Sequence, residues 1–339
     1  MVINGTFPKA RFFNVTTYAA TGELVDSALD QAIAPDPGTA NPFATQNVPS
    51  GTGTYKLTIG AQSPGSTNTL KSASGRFSFV VYRIYAPDKG LDRKGGVDLP
   101  HVSVVDAGGN IRQLRPCPTA EAEAGLTALI LMLRANGLND AANFLQGLLQ
   151  MAVTVQRSPV PCSGQQGLTV PFAPATLNTD FFPNPITTYL ETPGLCLPAG
   201  KVLVVRGKAP VFPNTYAGGS VFDPAFDGQI QTRYWSMCQN DRVIPYPVVA
   251  CQADFETSRN ANGSYTYVVS PTPPEDLPAD ATWLAWGNAA VPKNLIFRLT
   301  LPVGPVGEFT PKAAFCDEAA LSTADGIAAC LGGAGISTP

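Results

Sequence analysis

Apolar and polar residues alternate along much of the chain, and alternation places successive side chains on opposite faces of a strand. Arg11–Tyr18 and Tyr55–Ile59 are short runs of this kind. Arg76–Tyr85 is the strongest. In it Phe77, Phe79, Val81, Arg83 and Tyr85 share one face, and Ser78, Val80, Tyr82 and Ile84 share the other. Val102–Val105, Lys201–Lys208, Gln231–Cys238, Ser264–Ser270, Thr282–Trp286 and Asn294–Leu301 complete the predicted strands. Turn residues separate them at Pro35-Asp36-Pro37-Gly38, Gly51-Thr52-Gly53, Gly95-Gly96, Asp106-Ala107-Gly108-Gly109-Asn110 and Asn262-Gly263. No internal repeat shows in the pattern.

The period changes over residues 119–153. Leu126, Leu129, Ile130 and Leu133 recur at helical spacing, as do Ala141, Phe144, Leu145, Leu148, Leu149 and Ala152. Thr119 is the expected N-cap, and Asn136-Gly137 separates the two runs. The pattern predicts an inserted αα-hairpin. Its apolar content exceeds one stripe, so it packs on the sheet, lids a cavity or touches another subunit. A short helix is expected over Asp317–Leu331. The predicted fold is mainly β: a jelly-roll-like β-sandwich with an inserted αα-hairpin and a short C-terminal helix. It is read as one elaborated domain over 1–311, followed by a helical tail over 312–339.

Composition narrows the function classes. With Gly 32 and Pro 32 in 339 residues, the chain is loop-rich. A net charge of -3 provides no basic footprint for nucleic acid. No apolar run approaches the roughly 18 residues of a transmembrane helix. The cysteines are Cys117, Cys162, Cys196, Cys238, Cys251, Cys316 and Cys330, without a C-x-x-C and with His101 as the lone histidine. That spacing suits disulfides better than zinc. Cys238 and Cys251 can close a hairpin, Cys316 and Cys330 a C-terminal loop, and Cys117 and Cys162 the base of the insertion. Cys196 is left odd, either free or paired between chains. The cysteines and the low charge predict a secreted or periplasmic protein, although residues 1–20 carry no signal-peptide pattern.

Catalytic motifs are sparse. There is no G-x-S-x-G elbow, H-E-x-x-H or P-loop, and any Ser-His-Asp triad has to use His101, at a strand start beside a turn. The sequence-neighbour carboxylates Asp223 with Asp227, Glu275 with Asp276, and Asp254 with Glu256 are the acid/base stock. They support the alternative reading, a secreted hydrolase acting on a glycan or ester through paired carboxylates. Asp88, Asp92 and Asp98 match no calcium-loop spacing, so neither metal nor cofactor is expected.

One pattern stands out. Arg11, Arg83, Arg206, Arg233 and Arg298 sit singly inside apolar strands. An arginine on an apolar face needs an anionic partner, an exit to water or a ligand. Arg83 shares a face with Phe77, Phe79 and Tyr85, and Arg233 with Trp235. Arg83, Arg233, Tyr234 and Trp235 are the candidate ligand contacts. Trp283 and Trp286 are candidates for a sugar-stacking platform. Such forks and rings suit a carboxylate- or sulfate-bearing ligand.

Several motifs carry a resemblance: Ala10-Arg11-Phe12-Phe13, Pro35-Asp36-Pro37-Gly38 with Asn41-Pro42-Phe43, Tyr82-Arg83-Ile84-Tyr85-Ala86-Pro87-Asp88, Arg233-Tyr234-Trp235-Ser236-Met237-Cys238, Tyr267-Val268-Val269-Ser270 and Trp283-Leu284-Ala285-Trp286-Gly287. In these the chain resembles uncharacterised secreted bacterial β-rich hypothetical proteins and is reminiscent of jelly-roll domains of unknown function. The resemblance implies an exported β-rich fold and attaches no activity. The functional expectation is an exported non-catalytic protein. It would bind a small or polymeric anionic, aromatic or polysaccharide-like ligand, or self-assemble at the cell surface as a homo-oligomer through residues 119–153.

Overall fold

The computed structural model describes residues 1–19, 22–46, 48, 53–60, 67–73, 78–106, 108–114, 125–147, 168–175, 183–243 and 246–332. The protein is mainly β. It divides into two compact units. Unit 1 comprises Met1–Gln150, Leu177–Pro185 and Pro213–Ala225; unit 2 comprises Met151–Thr176, Ile186–Phe212 and Phe226–Pro339.

Unit 1 contains strands β1 (Val2–Thr6), β2 (Ala10–Ala19), β3 (Leu24–Leu29), β4 (Thr54–Gly60), β5 (Thr69–Lys71), β6 (Ser78–Pro87), β7 (His101–Val105) and β8 (Ile111–Gln113). One sheet has the order β5-β4-β1-β7-β8 and the other β3-β2-β6. Their inner faces share a core of Ile3, Phe13, Val15, Tyr55, Leu57 and Ile59, with Phe7 and Phe43 from the flanking loops. The rings of Phe7, Phe13, Phe43, Tyr55 and Tyr82 meet at centroid distances of 5.0–6.2 Å.

The helical insertion belongs to this unit. Helix α1 (Gly125–Ala135) and helix α2 (139–147) are separated by Gly137, whose φ of 72° ends α1 in the left-handed conformation. Ile130, Leu133, Ala141, Ala142 and Leu145 are buried together, with Phe79 of β6 and Phe144 packed against them. The hairpin therefore packs on the sheet. Thr119, Leu148, Leu149 and Ala152 lie outside the described residues.

Unit 2 contains β9 (Thr169–Val170), β10 (Ala173–Pro174), β11 (Thr187–Glu191), β12 (Lys201–Lys208), β13 (Tyr234–Asp241), β14 (Val248–Ala253), β15 (Ser264–Ser270), β16 (Ala281–Ala285), β17 (Lys293–Thr300) and β18 (Lys312–Asp317). Its sheets have the orders β10-β11-β17-β13-β14 and β16-β15-β12-β18-β9. Trp235 stacks on Tyr265 and meets Phe297 edge-on between them. On the other face of β12, Val202 and Val204 pack with Cys316, Leu321 and Ile327. The C-terminal helix, α3 (Ala324–Cys330), is capped by Thr323 and is shorter than the predicted Asp317–Leu331. Residues 312–317 are a strand rather than part of a helical tail.

The units repeat one plan, which corrects the expectation of no internal repeat. Strands β1 to β7 and β12 to β18 follow each other in the same order through the same pairings. The four strands β5-β4-β1-β7 match β16-β15-β12-β18, and β3-β2-β6 match β14-β13-β17. The one parallel pair in each set also matches, β4 with β5 and β15 with β16. Details follow the plan. Gly5 lies opposite Tyr55 and Gly207 opposite Tyr265, and each tyrosine ring covers its glycine. A Cβ on either glycine would stand 2.5 Å from the tyrosine hydroxyl. A 3-10 turn follows β3 and β14, and its first carboxylate, Asp30 or Asp254, accepts the N–H of Phe13 or Trp235. Ala86 and Leu301, each followed by proline, have φ of 48° and 50°. Loops of different length separate these matches, so no constant spacing marks the repeat.

Candidate functional site

Strand β2 is buried on both faces. Phe13 and Val15 point into the core, so alternation turns Phe12, Asn14, Thr16 and Tyr18 to the other face. Register adds the neighbours: Thr16 pairs with Ser27 on β3, Asn14 with Arg83 and Phe12 with Tyr85 on β6. A polar stripe thus crosses all three strands.

Its hydrogen bonds are specific. Asn14 Nδ2 donates to Thr16 Oγ1 at 3.0 Å, to Asn184 Oδ1 at 3.1 Å and to Ser27 Oγ at 3.4 Å. Asn184 Nδ2 donates to the Tyr85 hydroxyl at 3.2 Å, and the Tyr18 hydroxyl donates to the Pro183 carbonyl at 2.8 Å. The Arg83 guanidinium lies 5.5 Å from the Tyr18 ring centroid. Burial raises the Tyr18 phenol above its ordinary value, and the charge and hydrogen bonding of Arg83 oppose that rise. Asn14 is 0% exposed, and its Oδ1 has no hydrogen-bond partner among the described residues. A buried carboxamide oxygen left open costs about 1–3 kcal/mol unless a donor reaches it. At one end of the face Phe79 meets Phe144 of α2 at 6.1 Å. The stripe offers a guanidinium, an open acceptor and aromatic rings, which is recognition chemistry.

The other predicted contacts are dispersed. Arg83 is in unit 1; Arg233, Tyr234, Trp235, Trp283 and Trp286 are in unit 2. Trp235 and Trp286 are fully buried, Trp235 among Tyr265, Phe297 and Phe212, and Trp286 against Phe315. Both rings pack in the core of unit 2, because alternation turns each one inward. Arg233 is buried and its N–H donates to the Thr300 carbonyl, while Tyr234 is half-buried. Trp283 is half-buried, with Nε1 donating to Ser270 Oγ at 3.1 Å. Asn14, Thr16, Tyr18, Ser27 and Asn184 were not anticipated. The alternation Asn14-x-Thr16-x-Tyr18 inside Arg11–Tyr18 is the signal that locates the first three.

The remaining chemistry is distributed as follows. His101 is exposed, with Nδ1 3.3 Å from Gln113 Nε2, and lines an open groove of about 720 Å³ with Asp36, Asp92, Lys94 and Asp98. Backbone N–H bonds from Gly96 and Lys94 hold the Asp92 carboxyl below its usual value. No group of three His, Cys, Asp or Glu suited to a metal occurs among the described residues. Asp254 Oδ2 accepts the Trp235 N–H, Glu256 Oε2 the Ala253 N–H and Asp223 Oδ2 the Ser220 N–H. These carboxylates are therefore engaged in shaping turns.

Disulfides join Cys238 to Cys251 and Cys316 to Cys330. Cys196 is also disulfide-bonded, which corrects the expectation that it is the odd cysteine. Cys117 and Cys162 lie outside the described residues.

Residues 1–89 match the family model described as "Protein of unknown function (DUF1214)", a stretch ending just past β6. No curated protein matches the chain. Among solved structures, an uncharacterized protein from Burkholderia cenocepacia is similar at 15% identity and a TM-score of 0.54, over 94% of this chain and 73% of that one. The VPA0106 protein from Vibrio parahaemolyticus is similar at 11% identity and a TM-score of 0.39, over 93% of this chain and 85% of that one. The Burkholderia likeness is one of fold alone.

Proposed function

We propose that the protein is an exported, non-catalytic binding protein of jelly-roll-related architecture. Its ligand is oxygen-rich, carbohydrate-like or carboxylate-bearing, and sits on the Arg83 stripe. The observation that carries this reading is the cross-strand placement of Arg83 opposite Asn14, whose buried Oδ1 has no hydrogen-bond partner among the described residues. A ligand with an oxygen acceptor for the first and a hydroxyl donor for the second matches both. The disulfides support export, since such bridges persist in oxidising compartments. The hydrolase alternative loses support because Asp254 and Glu256 are held by backbone N–H groups.

The test is a thermal-shift and calorimetric screen of neutral monosaccharides, uronic acids and aromatic carboxylates. A uronic acid or carboxylate should stabilise the native chain, and Arg83→Ala and Asn14→Ala should each abolish that shift. Ligands that stabilise all three proteins equally would remove the site from the proposal. A second reading, self-assembly through the hairpin, draws on Leu131 and Met132 of α1, 61% and 41% exposed. Sedimentation of native chain and Leu131→Lys decides it: a native oligomer dissociated by the lysine supports assembly, and a native monomer rejects it.

A further inference from the structure

Unit 2 carries a covalent link where unit 1 has none. Thr16 stands opposite Ser27, and Cys238 opposite Cys251, at equivalent points of β2–β3 and β13–β14. The first pair closes with a hydroxyl–hydroxyl hydrogen bond of 3.2 Å and the second with a disulfide. The plan therefore forms this strand pair without a bridge, so shaping the fold is not sufficient reason for one.

The two sulfurs have unequal surroundings. Cys238 is 0% exposed, whereas Cys251 is exposed on β14, the strand at one edge of its sheet. Arg298 Nη1 lies 2.6 Å from Cys238 Sγ, and Ser236 Oγ lies 3.8 Å from it. A thiolate attacks the sulfur it can reach, and exchange is faster when the departing sulfur is stabilised as an anion. Here the reachable sulfur is Cys251, and the departing one meets a guanidinium.

We propose that Cys238–Cys251 is a thiol-exchange site, modified at Cys251 by a low-molecular-weight thiol. The thiolate attacks Cys251 Sγ and forms a new S–S bond there. The Cys238–Cys251 bond breaks, and its electron pair leaves on Cys238 Sγ as a thiolate beside Arg298. Attack by Cys238 on the mixed disulfide returns the starting bond and releases the thiolate. One disulfide is exchanged for another, so no external oxidant or reductant is needed. Cys316–Cys330 is the internal control, since Cys316 is buried and Cys330 only half-buried.

The experiment incubates the native full chain with reduced glutathione in mildly alkaline buffer. The mixture is then quenched in acid, alkylated with N-ethylmaleimide and mapped by peptide mass spectrometry. Glutathione is expected on Cys251 and the maleimide on Cys238, with Cys316–Cys330 intact and native tryptophan fluorescence. Arg298→Gln should slow the exchange about three- to tenfold, and Arg298→Lys should restore most of the rate. Glutathione on Cys238, equal rates at both bridges, an unchanged rate in Arg298→Gln, or thiolation only after unfolding each overturns the proposal. Should Arg298→Gln not fold, the sulfur modified in the native chain and the Arg298→Lys rate decide.

Discussion

Units 1 and 2 build the same strand plan with different fastenings. Unit 1 relies on a cluster of Phe7, Phe13, Phe43, Tyr55 and Tyr82, and closes β2 on β3 through Thr16 and Ser27. Unit 2 centres on Trp235, Tyr265 and Phe297, and closes β13 on β14 through a disulfide. What the units share is what the plan demands: a carboxylate under the β2 or β13 backbone, a glycine beneath a tyrosine, a left-handed residue before a proline. What they do not share is where function is free to differ. Asn14 with its open oxygen stands where unit 2 has Ser236, and Cys238 stands where unit 1 has Thr16.

All three tryptophans, Trp235, Trp283 and Trp286, lie in unit 2, so tryptophan fluorescence reports on that unit, and hydrogen exchange of β1–β7 follows unit 1. The largest effects come from the two cores. Phe13→Ala and Trp235→Ala should each cost about 3–5 kcal/mol in denaturant titrations, the first lost in exchange protection of β1–β7 and the second in fluorescence. If either variant unfolds both units together, the units are not separable in stability.

Next come the shared devices. Asp30→Ala and Asp254→Ala each remove a charge-assisted acceptor for a buried N–H, at about 1.5–3 kcal/mol. Gly5→Ala and Gly207→Ala push a methyl into the tyrosine ring above, at about 1–3 kcal/mol. Equal losses within each pair would confirm the equivalence, and a neutral member would break it.

The smallest effect appears in alkali. Burial raises Tyr82 to about 12 and puts Tyr55, Tyr265 and Tyr267 higher still. The folded phenols hold their protons more tightly than unfolded ones, which titrate near about 10. Their contribution is complete below that value and is lost as pH rises through the Tyr82 range. Of these four Tyr82 ionises first, so an alkaline titration should loosen unit 1, seen in NMR signals of the Phe13 and Leu57 side chains, before tryptophan fluorescence reports unit 2.

Much of this was legible. Alternation in Arg76–Tyr85 and Ser264–Ser270 located β6 and β15 because a half- or fully buried strand has only two faces to fill. The helical period located α1 and α2. The shorter strands β8, β9 and β10 were invisible, since two or three residues carry no period. The five arginines include two matched pairs. Arg11 and Arg233 are equivalents, and so are Arg83 and Arg298, so their recurrence reflects repetition of the plan before any ligand is invoked. Of the candidate site, Arg83 was found from its face; Asn184 was not, because it reaches Asn14 from a segment remote in sequence.

The sequence by itself determined the mainly β character, the helical insertion and which side chains share a strand face. Those follow from local periodicity and need only near neighbours. The tertiary structure alone decided which face meets a core, and so turned Trp235 and Trp286 into packing residues and left Asn14 Oδ1 open in a buried place. It also decided the repetition, because equivalence between units lies in pairing order and register, which loops of unequal length erase from the linear spacing.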